Sequence, residues 1–132
     1  MSVEANKQLV LDTWGAVTKG DIDGFMSRLA DDVTWTFFGS HRFAGTFRGK
    51  EELVAKLFAP LGEVLADGIK VHVDTATAEG ERVVIEARGE ASAKDGRPYN
   101  NNYCIVVTVR DNKVAHVREY LDSELVTSVF GR

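Results

Sequence analysis

The strongest constraint on this chain lies in its last third, PYNNNYCIVVTVRDNKVAHVREYLDSELV, residues 98–126. Tyr103, Ile105, Val107 and Val109 alternate with Asn102, Cys104, Val106, Thr108 and Arg110. Further on, Ala115, Val117 and Leu121 alternate with His116, Arg118 and Tyr120. Side chains two apart share one face of a strand, so the pattern predicts a β-hairpin with one apolar row. Glu119 falls inside that row, between Val117 and Leu121. An ionised carboxylate among aliphatic neighbours is costly unless it is paired or hydrogen-bonded. Glu119 is therefore either a pocket residue or half of a buried ion pair.

Register sharpens this. A two-residue loop at Asp111-Asn112 would pair odd positions with even ones and mix the faces. One extra loop residue, with Asn112 in the left-handed region that Asn tolerates, restores odd-to-odd pairing. Val107 then lies opposite Val117, and Ile105 opposite Glu119.

At 132 residues the chain is read as one domain spanning 1–132, large enough to bury a real core. A net charge of −4, with Lys and Arg scattered, argues against a nucleic-acid or anionic-membrane surface. The lone Cys104 excludes an internal disulfide, and the N-terminus is too polar for a signal peptide. A soluble cytoplasmic protein is expected. The three His, at 41, 72 and 116, have no ligand spacing, so no metal is assigned.

Along the chain, Leu9, Val10, Trp14 and Val17 sit at helical spacing, with Gly20 as a C-terminal cap. Asp21 caps a second short helix carrying Ile22, Phe25, Met26 and Leu29. A strand follows at 33–38, then a glycine-punctuated loop at 39–49. A third helix starts near Lys50 and is kinked or split by Pro60. Strands at 68–78, 82–93, 98–110 and 113–121 follow, and Asp122 caps a last helical turn. This order predicts an α+β fold with helices packed on one face of a curved, mostly antiparallel sheet.

Three segments, GDIDGFMSRLADDVTW, FRGKEELVAKL and GRPYNNNYCIVVTVRDNKVAHVREYLDSELV, together resemble the SnoaL-like branch of the NTF2-like superfamily. The resemblance implies a cone of helices against a strongly curved sheet, enclosing an apolar cavity. It also implies a homodimer. The superfamily includes ketosteroid isomerases, polyketide cyclases, epoxide hydrolases and non-enzymatic binders, so fold alone does not choose a chemistry. Ketosteroid-isomerase positions are occupied by Thr13 and Phe37, which do not carry that chemistry. The Asp-Arg-Asp set of limonene-epoxide hydrolases is matched by Arg88-Gly89-Glu90 and Arg118-Glu119-Tyr120. By resemblance, Glu119 would activate water, Arg88 would bridge, and Glu90 would act as general acid. That family's water-positioning Tyr and Asn are replaced by Trp35 and Phe37.

The strand carrying Arg88 is ambiguous. Hydrophobicity alone turns its odd row (Val83, Ile85, Ala87, Gly89, Ala91) inward and sends Arg88 and Glu90 to solvent. The family pattern does the reverse and leaves the odd row as an outer face suited to a dimer interface. The family orientation is the one adopted here, with the other left open. Trp35, Phe37, Asn101, Tyr103, Val117 and Leu121 are the expected ligand-binding residues beside the catalytic candidates Glu119, Arg88 and Glu90. Two functions remain. One is cofactor-free acid/base chemistry on a hydrophobic small molecule, by epoxide hydrolysis, isomerisation or cyclisation. The other is a non-catalytic module that binds an apolar ligand or mediates dimerisation.

Overall fold

The computed structural model describes residues 2–132. Helix α1 (Val3–Lys19) starts at Ser2, whose hydroxyl accepts from the Ala5 amide, and stops at Gly20, where φ is +72°. The left-handed conformation there suits glycine and ends the helix. Asp21 caps α2 (Ile22–Ser27) by accepting from the Gly24 amide. Both caps are where the sequence puts them. Strand β1 (Leu29–Phe37) follows, then β2 (Gly45–Arg48) and α3 (Gly49–Leu53).

Pro60 has no amide hydrogen, and its ring would collide with the Lys56 carbonyl in a regular α-helix. The chain accommodates it by widening into a π-helical turn over Val54–Phe58 before α4 (Ala59–Val64), with the Ala59 amide bonded to the Val54 carbonyl. Strands β3 (Lys70–Glu79), β4 (Arg82–Glu90), β5 (Asn102–Arg110) and β6 (Lys113–Leu121) then run antiparallel. Helix α5 (Ser123–Phe130) closes the chain, capped by the Asp122 carboxylate on the Glu124 and Leu125 amides.

All six strands form one curled, open sheet in the order β2-β1-β6-β5-β4-β3. Only β1 and β6 run parallel. The helices cover its inner face, and the core lies between the two layers, as the α+β reading anticipates.

The hairpin register matches expectation, with Ile105 opposite Glu119 and Val107 opposite Val117. Its mechanism differs. Asp111 and Asn112 are both left-handed, at φ +52° and +59°, and form a tight two-residue turn. Parity is instead restored in β6, where the register shifts between Thr108 and Val109 and leaves Ala115 as the extra residue. Val114 and Ala115 are consequently both buried. A second difference is β2, which the sequence suggested was loop. Its four residues pair with Thr34 to Phe37 at the sheet edge.

Candidate functional site

The two layers do not close completely. Between them lies a cavity of about 320 Å³, at the small end of the roughly 300–1,000 Å³ range of ligand pockets. One wall is aromatic and comes from Trp14, Phe25, Trp35, Phe37 and Phe58, with neighbouring ring centroids 5.8–6.4 Å apart. The opposite wall is Ile69, Val71, Tyr103 and Ile105. The lip carries Ile22 and Val54, which are 62% and 47% exposed although both are large apolar residues. Among the described residues, Glu119 is the only charged one in the lining.

Sheet register fixes Glu119 there. Its neighbours across the sheet are Phe37 on the parallel strand β1 and Ile105 on β5. Only 6% of Glu119 is exposed. Its one hydrogen bond comes from the Trp35 indole Nε1–H, at 3.2 Å to Oε1. No cation among the described residues faces it, so burial pushes the carboxyl up to about 8, partly opposed by the Trp35 bond. At pH 7 such a group is neutral in about ten molecules for each one in which it is ionised.

Tyr103 stands in the same inner row, and its hydroxyl is buried beside that of Tyr99. Burial pushes its phenol far above the usual range, so it stays neutral. Close by, Asn101 Nδ2 donates to the Tyr99 hydroxyl and to the Asp122 carbonyl, at 3.1 and 3.2 Å. Asn101 Oδ1 accepts from the Asn102 and Asp122 amides. Every polar atom of Asn101 is thus used in tying β5 to the start of α5. The position expected to bind ligand is a structural strut outside the lining. Val117 is fully buried and Leu121 half-buried. Neither lines the cavity, whereas Trp35, Phe37 and Tyr103 do.

Arg88 and Glu90 require a correction of orientation. Both point away from the cavity. Arg88 makes a two-pronged ion pair with Asp74 at 3.0–3.2 Å, and Glu90 meets His72 Nε2 at 3.1 Å on the same outer face. The pairing of β4 with β5 puts Ala87 beside Tyr103, Ile85 beside Ile105 and Val83 beside Val107. The odd rows of the two strands therefore turn inward together. Burying three aliphatic side chains stabilises by several kcal/mol (about 1.5–3 for a fully buried Val or Ile). A guanidinium and a carboxylate in their place would each cost several kcal/mol in desolvation. Hydrophobicity, not the family pattern, decides this strand. The inward row also offers no outer surface for a dimer. Arg88 cannot bridge Glu119 to Glu90, and Glu119 has no ion-pair partner among the described residues.

Several lining residues escaped the sequence reading. Phe58 follows Leu57 on a helix whose face is rotated by the π-turn, so helical spacing misplaces it. Ile69 and Val71 alternate at the start of β3, a signal present in the sequence but indistinguishable from ordinary core. Among the described residues, no three His, Cys, Asp or Glu side chains gather as metal ligands, and no helix is long and apolar enough to cross a membrane.

Known proteins share this architecture. An NTF2-like protein from Burkholderia xenovorans LB400 superposes with a TM-score of 0.77 at 29% identity, over 98% of both chains. An LEH-like epoxide hydrolase of M. tuberculosis gives 0.75 at 20% identity, over 97% of this chain and 90% of that one. A protein assigned as a SnoaL-like polyketide cyclase from Jannaschia sp. CCS1 gives 0.77 at 21%, over 97% and 92%. At 20% and 21% identity, these last two likenesses speak for the fold alone. The SnoaL-like domain family matches residues 10–117. That match runs from α1 into β6 and takes in every cavity-lining residue except Glu119, and the chain belongs to the SnoaL-like family.

Proposed function

We propose that this protein catalyses proton transfer on a hydrophobic small molecule held in the cavity, with Glu119 as the group that takes up and returns the proton. The observation that carries this reading is Glu119 itself, a lone carboxyl in an apolar chamber with a pKa near 8. A carboxyl tuned close to neutrality suits general acid/base work, because both protonation states are accessible at working pH. Glu119 in its ionised form removes a proton from one atom of the bound molecule. As the neutral acid it delivers that proton to another atom. Nothing is gained or lost overall, which describes an isomerisation or a ring closure.

Epoxide hydrolysis in the form implied by the limonene-epoxide hydrolase resemblance is less well supported. It needs Arg88 and Glu90 beside Glu119, and both are on the far side of the sheet. One observation favours a second reading, non-catalytic binding. Trp35 and Phe37 stand where water-positioning polar residues would be, and both are buried in the aromatic wall.

The decisive variant is Glu119→Gln, which keeps the shape and can still accept from Trp35 but cannot carry a proton. Turnover of a converted substrate should be lost while ligand affinity and fold are retained. Undiminished turnover in that variant would reject Glu119 as the proton carrier. A ligand that binds yet is never converted by the wild type would move the protein to the binding class.

A further inference from the structure

Glu119 offers the chamber one oxygen that the protein leaves free. The Trp35 indole N–H engages Oε1, and Oε2 has no hydrogen bond among the described residues. Yet Oε2 is not sealed in, so on the inner face of the sheet it opens to the chamber that Glu119 lines. The Tyr103 hydroxyl is no rival. It lies beside the Tyr99 hydroxyl and under Gly89, where a Cβ would be 2.7 Å from Tyr103 Cε2 and 3.1 Å from the hydroxyl.

The surroundings of that oxygen suit positive charge. The faces of aromatic rings attract a cation within about 6 Å, those of Trp most strongly. Trp14, Phe25, Trp35, Phe37 and Phe58 form one wall, and no cation among the described residues lines the cavity. An anionic ligand would meet only the carboxyl and the rings, and both repel it. An ammonium would meet both attractively. Stripping the ammonium of water is costly, and a charge-assisted bond to Oε2 together with the ring faces opposes that cost. A dry cavity of about 150 Å³ holds one benzene ring, so 320 Å³ suits about two rings.

We propose that the chamber takes an apolar, two-ring-sized ligand bearing one protonated amine, whose ammonium bonds to Glu119 Oε2 and lies against the aromatic wall. This names the ligand class for the site of the proposed function and rests on the cavity being the ligand site, but not on Glu119 turning a substrate over. Binding moves a proton. Below pH 8 the free carboxyl is mostly neutral and an alkylamine, titrating near the lysine value of about 10.4, is already charged. The Glu119 O–H bond therefore breaks as the ligand binds, its electron pair stays on the carboxylate, and the proton leaves to the buffer. The other ionisable groups nearby do not follow this course. Burial raises the Tyr99 and Tyr103 phenols, which stay neutral, and lowers His41, which stands edge-on to Phe37.

The test compares 2-aminotetralin with 2-methyltetralin, where a methyl replaces the ammonium, and with 2-tetralone, by quenching of tryptophan fluorescence. At pH 8 the wild type should bind the amine about tenfold more tightly than the methyl compound, as one charge-assisted bond allows. From pH 8 to pH 6 amine affinity should fall about fiftyfold, following the ionised fraction of Glu119, while that of the methyl compound stays within about twofold. Calorimetry near pH 6.5, in buffers of different ionisation enthalpy, should count about one proton released per amine bound. In Glu119→Gln the amine preference and its pH dependence should vanish while 2-methyltetralin still binds. If that variant does not fold, the proton count in the wild type still decides. An amine bound no more tightly than the methyl compound at pH 8, or bound without proton release, would overturn the assignment. A clear preference for 2-tetralone would overturn it in favour of a neutral carbonyl ligand. Failure of all three compounds to bind would overturn it together with the reading of the cavity as a ligand site. Rejection of the amine alone would leave that reading standing.

Discussion

Replacing Glu119 with glutamine should change how stability depends on pH, in a direction opposite to that of most carboxylates. In the unfolded chain the group titrates near 4.5, and in the folded protein near 8. Between those values the native state holds a proton that the unfolded chain has released. Stability therefore falls as pH rises, by about 1.4 kcal/mol per pH unit. The contribution is fully present below the unfolded pKa, about 3 kcal/mol of it is gone at pH 7, and about 5 kcal/mol is gone above pH 8. Glutamine carries no such proton. Its amide oxygen can keep the Trp35 bond, so the two proteins should be of similar stability near pH 4. Other groups titrate equally in both, so the difference between the two curves isolates residue 119. Urea denaturation in steps from about pH 4 to about pH 9 measures it, with the midpoint converted through a common slope. The variant should gain on the wild type steadily and then level off above pH 8. Parallel curves would refute the claim that Glu119 is held neutral by burial.

Three further outcomes follow from the same geometry. Gly89→Ala should destabilise by about 1–2 kcal/mol, because overpacking against the Tyr103 ring (about 1–3) outweighs the entropic gain of losing a glycine (about 0.4–1); chemical denaturation checks it, and a stabilised variant would mean the ring has room to move. Arg88→Ala breaks only an exposed pair with Asp74, so the unfolding midpoint and any turnover should stay near wild type; a large loss of turnover would restore Arg88 to the site. Trp35→Phe removes the one hydrogen bond that favours the ionised carboxyl, so the Glu119 titration should move further up, and a downward move would show that another group stabilises the charge.

Much of the fold was legible in the sequence because it rests on local chemistry. Asp and Gly mark helix ends, and period-two alternation marks the hairpin that presents Glu119. The pairing of Ile105 with Glu119 followed from parity alone, since any odd slip would put the apolar row in water. How parity is kept was not legible. A bulge at Ala115 and an Asn112-centred loop satisfy the same count, and only backbone geometry separates them. Strand β2 was hidden because GTFR is short, at a sheet edge, and follows a glycine-rich loop. Arg88 shows the opposite failure. Its own strand signals the answer through Val83, Ile85 and Ala87, whereas the family pattern points the other way, and burial prevails. The use of Asn101 as a strut could not be read at all, because it depends on where Tyr99, Asn101 and Asp122 meet in space.

The proposed function turns on a single proton, and the most direct test is to watch it leave. Selective ¹³C labelling of glutamate side chains, with Glu119→Gln to assign the signal, gives the titration of that carboxyl by NMR without any substrate. A midpoint near 8 is the predicted result. A midpoint near the ordinary 4.5 would mean that water or an unrecognised partner stabilises the charge, and that Glu119 is not the tuned acid/base on which the proposed function depends.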